Sequence, residues 1–169
     1  ELTRAHSDWQ QAYDALAKKV QALEAQLIIW KQIDDSKNEV LRWLGETSDA
    51  LSRASHDMSY VEVGQSKLNR YKDELPSNYN LKTSIVSKTA QLVKVNDGKS
   101  IPTLDSLNKL LEDEFAHVKS MADKLEDIAS TVDEQEKTVR EEIKVAGDTI
   151  SRIREAVIKC DDLTGENSK

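Results

Sequence analysis

The residues best suited to chemistry in this sequence are three histidines and one acidic run. His6, His56 and His117 are 50 or more residues apart, and no HExxH or CxxC motif accompanies them. A metal site needs several ligands that converge on one point. The carboxylates of residues 112–114 would act as general acid and base only in a cleft that desolvates one of them. The sequence therefore predicts no enzyme activity, no metal site and no cofactor.

The single cysteine, Cys160, excludes an internal disulfide. Its place in an apolar stripe predicts a small buried side chain rather than a reactive thiol. The absence of a disulfide weakly favours a reducing, intracellular compartment, and we expect a cytoplasmic protein.

Two long apolar stripes dominate the pattern and must provide the framework for any site. The first runs from Trp9 to Ala54 and the second from Leu104 to Cys160, in steps that alternate between three and four residues. Such steps keep side chains on one narrow helical face, as in a coiled coil or slender bundle. The sequence therefore predicts an all-α protein built from three long helices.

The composition agrees with long, solvated helices. Charged residues make up 33% of the chain, and it has only five glycines and two prolines. The net charge of −7 argues against binding to nucleic acid or to an anionic membrane, since both require clustered Lys and Arg. No apolar run reaches transmembrane length. We expect no nucleic-acid partner and no direct membrane contact, although a membrane-associated helical domain is kept as an alternative.

Local signals place the helices at about 2–55, 60–95 and 101–163. Ser59 and Glu62 fit a capping box at the start of the second helix. Pro76 predicts a kink or short break within that helix. Asn96–Gly98 is a strong stop signal, and Pro102 suits the first turn of the third helix.

The unequal helix lengths predict an unusual architecture. Short connections force consecutive helices to be antiparallel, so the first and third helices are parallel. The second helix reaches only residues 30–54 and 102–130 of its neighbours, which leaves 1–28 and 134–163 overhanging at opposite ends. Trp30 to Ile33 is a second consecutive step of three, and this rotates the first stripe as a stammer does. An internal repeat of 106 residues, which relates Trp9 to Phe115 and Leu44 to Ile150, also suggests tandem modules.

Several segments resemble the spectrin-repeat family. Residues 40–51, with Trp43 at the core tryptophan position, resemble the first helix of a repeat, and residues 67–76 resemble the second. Residues 107–125 are similar to the third helix, with Phe115 in place of the usual aromatic residue, and residues 9–13 resemble the third helix of a preceding repeat. Phe115 and the polar Lys37 depart from the family pattern.

The resemblance implies a division of the chain into four parts. Residues 1–28 would be the third-helix half of a preceding repeat, 29–133 a complete three-helix repeat, 134–163 the first helix of a following repeat, and 164–169 a tail. The expected core residues are Trp43, Leu44, Leu68, Leu75, Phe115, Val118 and Leu125. The residues expected to face partners are Trp9, Tyr13, Leu16, Ile143, Ile150 and Ile153.

The expected function is that of a structural spacer in the rod of a giant cytoskeletal linker, similar to nesprins, spectraplakins or dystrophin. The resemblance implies a place in the cytoskeleton, with actin or nuclear-envelope contacts made by other parts of such a protein. The competing hypothesis is a self-association module. Its overhangs would pair with another helical protein or with a second copy, so we expect the chain to form a homo-oligomer.

Overall fold

Three long helices form the chain in the computed structural model, which describes residues 1–56 and 61–166. Helix α1 spans Leu2–His56, α2 spans Val61–Val95 and α3 spans Pro102–Glu166. The predicted all-α class and three-helix bundle are confirmed. Helix α3 extends through the first half of the predicted tail. The proposed Ser59–Glu62 capping box lies outside the part of the chain whose side chains are described.

The connection between α2 and α3 is a tight turn, as the stop signal at Asn96–Gly98 predicts. Asp97 and Gly98 adopt positive φ angles of 54° and 73°. The amide of Gly98 donates to the carbonyl of Val93 over 3.0 Å, which satisfies an acceptor at the helix end. Left-handed backbone is tolerated best by glycine, and this explains the residue at position 98.

Pro76 does not interrupt α2, so the predicted short break is wrong. The helix is continuous from Val61 to Val95 with Pro76 inside it. On the turn after the proline, the side-chain amide of Asn78 donates to the carbonyl of Glu74 over 3.0 Å, and Asn78 is buried. Proline removes one backbone donor, but packing on both sides of it keeps the flanking turns helical.

The hydrophobic core lies between residues 33 and 125 and takes side chains from all three helices. Each stripe contributes residues at its three- and four-residue steps, so the core is a seam along the bundle axis. Its buried apolar members are Ile33, Val40, Trp43, Leu44, Leu51, Leu68, Tyr71, Ile85, Leu92, Leu104, Leu111, Phe115, Val118, Ala122 and Leu125.

Contacts across the core set the direction of each helix. Trp43 of α1 packs on Phe115 of α3 with ring centroids 5.8 Å apart. About one and a half turns further along both helices, the Ser48 hydroxyl lies 3.6 Å from the sulfur of Met121. Residues 43 and 48 therefore lie level with 115 and 121, so α1 and α3 run parallel. Helix α2 runs antiparallel to both.

Both long helices continue beyond this bundle, at opposite ends. We call residues 2–28 the lower tail and residues 134–166 the upper tail. Almost every tail residue whose side chain is described is exposed, and Ile143 in the upper tail is 66% exposed. At about 1.5 Å per residue, the molecule is roughly 140 Å from the start of α1 to the end of α3. None of the described helices is long and apolar enough to cross a membrane.

Cys160 is exposed, so its expected burial is wrong. It lies on the apolar face of the upper tail, as the stripe indicates, but neither α1 nor α2, as the structure describes them, reaches that level. Lys37, the polar residue in the first stripe, is half-buried at the lower end of the bundle and pairs with Asp34.

Candidate functional site

A cluster of four aromatic rings joins the three helices at the middle of the bundle. Trp43 lies between Tyr71 and Phe115, with ring centroids 6.2 Å and 5.8 Å away. Tyr79 meets Phe115 edge to face, with centroids 6.1 Å apart and planes at 86°. These separations fall in the range in which aromatic pairs stabilise a core beyond the burial of their area. The aromatic cluster therefore fixes the register of the three helices.

The same cluster carries the polar link between α1 and α2. The indole nitrogen of Trp43 donates to Glu74 over 2.8 Å, and the guanidinium of Arg70 donates to the other carboxylate oxygen over 2.9 Å. The hydrogen bond from Arg70 lowers the pKa of Glu74, the bond from Trp43 adds to this effect, and partial burial opposes it. Glu74 is therefore held as a carboxylate that satisfies the buried indole.

Lys82 closes the other side of the aromatic cluster. Its ammonium lies 5.5 Å from the ring centre of Tyr79 and 5.3 Å from that of Phe115. The side chain is only 14% exposed, and the nitrogen lies 3.7 Å from Glu112 of α3. Cation–π contacts of this kind gain strength when the cation is partly desolvated. The Lys82 ammonium therefore helps to hold α2 against α3, and Glu112 is the acidic side chain with which it pairs.

The structure places most of the expected core residues in this bundle. Six of them are buried, namely Trp43, Leu44, Leu68, Phe115, Val118 and Leu125, and Leu75 is partly buried against them. Tyr71 was not predicted as a core residue, although it is 7% exposed and stacks on Trp43. Its position three residues after Leu68 places it on the same face of α2 and could have indicated its burial. Burial raises the pKa of the Tyr71 hydroxyl, with a smaller contribution from Asp123.

The residues expected to face partners lie on the two tails and are not brought together. All six side chains are more than half exposed. The exposed fractions are 62% for Trp9, 56% for Tyr13, 62% for Leu16, 66% for Ile143, 61% for Ile150 and 59% for Ile153. Trp9 and Tyr13 stack on each other with centroids 5.6 Å apart. Exposed apolar stripes on this scale are typical of interaction surfaces rather than of solvated helix faces.

The upper tail repeats the buried face of α1 at an offset of 106 residues. The six buried positions of α1 correspond to residues of the upper tail that are all apolar except one threonine. In chain order these are Val139, Ala146, Thr149, Ile150, Ile153 and Val157. Thr149 takes the place of Trp43. The upper tail thus carries the face that α1 buries within the bundle.

The lower tail repeats the buried face of α3, but at an offset of 102 residues. All six buried positions of α3 then fall on large apolar residues that are exposed in the tail, namely Leu2, Trp9, Tyr13, Leu16, Val20 and Leu23. The 106-residue offset predicted from Trp9 and Phe115 fits this tail less well, because it puts Lys19 at the position of buried Leu125. Tyr13, rather than Trp9, corresponds to Phe115.

The described residues offer little to bind a small ligand. No group of three or more His, Cys, Asp or Glu side chains in residues 1–56 and 61–166 lies close enough to hold a metal ion. A small cavity of about 40 Å³ lies beside Trp43 and Glu74. A shallow apolar groove of about 310 Å³ lies at the lower end of the bundle, where Trp30 and Leu110 line its edges.

The fold and the tails define an elongated, all-helical segment whose core is a seam between three helices. Comparison with known proteins places a similar segment in a very large muscle protein. Muscle-specific protein 300 kDa of Drosophila melanogaster is 44% identical over all 169 residues, and the chain spans about 1% of the length of that protein. No protein-family model matches the chain, and no solved structure matches it.

Proposed function

We propose that this chain is a force-bearing spacer in the rod of a giant cytoskeletal linker, and that it has no catalytic role. The observation that carries the proposal is the pair of tails, which repeat the buried faces of α3 and α1 on helices that continue out of the bundle. In this proposal residues 29–133 are one spectrin-like repeat, 1–28 end the preceding repeat and 134–163 begin the following one. Adjacent repeats would cover the faces that are exposed here.

The path of tension through the molecule supports a mechanical role. A load applied to the ends of the chain enters along α1 and leaves along α3, at opposite ends of the bundle. Between these points it must pass through the core seam and the aromatic cluster, because no other described contact joins the tails. The cooperative packing of a small core resists such a load until the bundle unfolds as a unit.

The similarity to a segment of a giant muscle protein favours a cytoskeletal setting. We extend this to the cytoplasmic cytoskeleton, including linkers that reach the nuclear envelope. Contacts with actin or with membranes would be made by other parts of such a linker. The partners of this segment are then other helical proteins, or helices of neighbouring repeats.

Extension of single molecules held by their two ends tests the mechanical role. We expect one cooperative unfolding event that releases on the order of 300 Å, since residues 33–125 pass from bundle to extended chain. Leu68→Asp should lower the unfolding force by disrupting the core, while Ile150→Asp in the upper tail should leave it unchanged. Smooth lengthening without a distinct event would contradict the proposal.

Self-association is a second candidate function, and the exposed apolar stripes of both tails favour it. The two candidates compete for the same surfaces, because a tail that is covered by a neighbouring repeat is not free to pair with a second copy.

A further inference from the structure

We propose that the outer face of α2 is a docking site for an acidic amphipathic helix of another protein. This goes beyond the proposed spacer function, because it adds a lateral contact on the side of the bundle. It uses only residues of the bundle, so it does not depend on what covers the two tails. We call the exposed residues of α2 between Pro76 and Gln91 the uncharged face.

The uncharged face differs in composition from the rest of the bundle surface. Nine residues of α2 between Asp73 and Lys94 are exposed, and none of them is charged. Charged residues make up 33% of the whole chain, and most of the exposed residues of α3 between Asp105 and Asp127 are charged. Depletion of charge distinguishes the cores of protein–protein contacts from ordinary surface. The uncharged face therefore has the composition of a contact surface rather than of a solvated helix face.

A stripe of apolar and small side chains runs along the uncharged face with the spacing of a helical seam. This α2 stripe consists of Tyr79, Thr83, Val86 and Ala90, in steps of four, three and four residues. Tyr79 is 53% exposed and Val86 is 44% exposed. Steps of this kind present a straight line of side chains to a second helix, and small residues among them let the two helices approach closely.

The one hydroxyl within the seam is already satisfied. Thr83 donates to the carbonyl of Tyr79 over 3.0 Å, so a partner that covers Thr83 would leave no donor unpaired there. The α2 stripe can therefore be buried under another helix without the cost of an unsatisfied polar group.

The charges that α2 places around this stripe are positive. Between Glu74 and Asp97 the chain has three lysines and no acidic residue. At 3.6 residues per turn, Lys82 and Lys88 lie on opposite borders of the uncharged face, and Lys94 lies at its end. Lys82 already pairs with α3, whereas Lys88 and Lys94 make no ion pair within residues 1–56 and 61–166. Charge complementarity therefore favours a partner helix that carries carboxylates on the borders of its own apolar seam.

The uncharged face lies on the side of the bundle rather than at a junction between modules. Tyr79 meets Phe115 of the aromatic cluster, so the α2 stripe begins near the middle of the bundle. Repeats joined through the tails would lie beyond the two ends and would leave this side accessible. A contact along about three turns of helix buries less than about 1,200 Å², which is the range of weak and transient complexes.

A designed peptide tests the site on the full chain. The peptide is an amphipathic helix with Leu and Ala along its seam and Glu on both borders, where the glutamates also keep it from pairing with itself. Fluorescence anisotropy of the labelled peptide should show binding in the micromolar range at physiological salt. The same peptide with Lys in place of every border Glu should not bind at these concentrations.

Variants of the uncharged face locate the contact. Val86→Glu places a charge in the seam without removing a core side chain, and it should weaken binding by at least about 10-fold. Lys94→Glu replaces attraction with repulsion and should weaken binding by about 2- to 10-fold. Lys124→Glu is the matched control, because it changes the net charge equally on an exposed position of α3, and it should bind as the parent does.

Ile150→Asp controls for capture of the peptide by the exposed upper tail, and it should also bind as the parent does. Thermal unfolding followed by circular dichroism should give the same midpoint for all four variants and the parent, since every substituted residue is exposed.

Several results would overturn the proposal. These are an absence of binding by the parent, equal binding of the acidic and basic peptides, and equal affinities of Val86→Glu and Lys124→Glu. Loss of binding in Ile150→Asp alone would place the peptide on the upper tail instead. Binding to phosphatidylserine vesicles but not to the peptide would assign the lysines to a membrane contact.

The docking site and the spacer function fail in different ways. If single molecules unfold in one cooperative event while the peptide does not bind, only the docking site is wrong. If the peptide binds but extension shows no distinct event, the mechanical role is wrong and the docking site stands.

Discussion

The indole nitrogen of Trp43 donates a hydrogen bond to the carboxylate of Glu74, which joins α1 to α2 over 2.8 Å in the middle of the core seam. The ring of Trp43 is 8% exposed and contacts aromatic residues of both other helices. A tryptophan that fills a core and also hydrogen-bonds through its one N–H donor stabilises the packing of the helices and fixes the orientation of its own ring.

Trp43→Ala should destabilise the bundle by about 3–5 kcal/mol, because it removes a large buried ring and leaves a cavity between three helices. For a domain of marginal stability this is a large share of the total. Trp9→Ala is the matched control, since Trp9 lies on the lower tail and is 62% exposed. Thermal unfolding followed by circular dichroism at low concentration distinguishes them, and equal midpoints for the two variants would exclude Trp43 as the core anchor.

Acidification should weaken the bundle through Glu74. The pKa of this carboxyl is lowered in the folded chain from an ordinary value of 4.5. The ionised form therefore adds stability above pH 4.5, and this contribution is lost as the pH falls below that value toward the folded pKa. The loss is small because Glu74 is partly exposed. Glu74→Gln keeps an acceptor for Trp43 but cannot titrate, so its unfolding free energy should change less between pH 5 and pH 3 than that of the parent. If the unfolding free energies of the variant and the parent change equally with pH, Glu74 is not the group whose protonation weakens the bundle.

Gly45→Ala should stabilise the bundle by about 0.5–1 kcal/mol. An added Cβ at Gly45 meets nothing within 4 Å, and alanine loses less backbone entropy than glycine in a helix. Gly147 has equally open space but lies on the upper tail, which has no packed partner. Gly147→Ala should therefore raise helix content without moving the cooperative midpoint. A shared increase in midpoint would mean that the upper tail unfolds together with the bundle.

Gly98→Ala should destabilise the chain by about 1–2 kcal/mol, even though no atom within 4 Å would obstruct the new methyl group. The cause is the backbone, because φ at Gly98 is 73° and L-residues disfavour that region. Denaturant titration would measure the loss, and Gly98→Asn should recover part of it, since asparagine tolerates this conformation better. No recovery would show that the turn depends on something other than φ.

Much of the fold was predictable because helical periodicity is a local property of the sequence. The apolar steps between Val40 and Leu51 and between Leu104 and Leu125 fall on residues that are buried in the bundle or, at Leu107, partly buried. The stop at Asn96–Gly98 follows from the conformation of glycine alone. These features depend on neighbours in the sequence, so no tertiary information is required to read them.

Other features depend on what lies across the bundle and could not be read in this way. Cys160 has the spacing of a core residue, yet it is exposed because neither of the other described helices reaches its level. Pro76 has the chemistry of a helix breaker, yet α2 stays continuous around it. The contact of Lys82 with Phe115 joins α2 to α3, and no sequence spacing reveals it.

The two offsets also differ by four residues, and this has a geometric consequence. Leu125 and Val139 are 14 residues apart, while Leu23 and Ile33 are 10 residues apart. Four extra residues in an uninterrupted helix advance it by about 6 Å and turn it by about 40° beyond a full revolution. Modules on the two sides of this bundle would therefore be set at different azimuths about the long axis. In a rod of such modules, the number of residues at each junction would control which side of each module faces outward, and the winding of the rod would be set junction by junction.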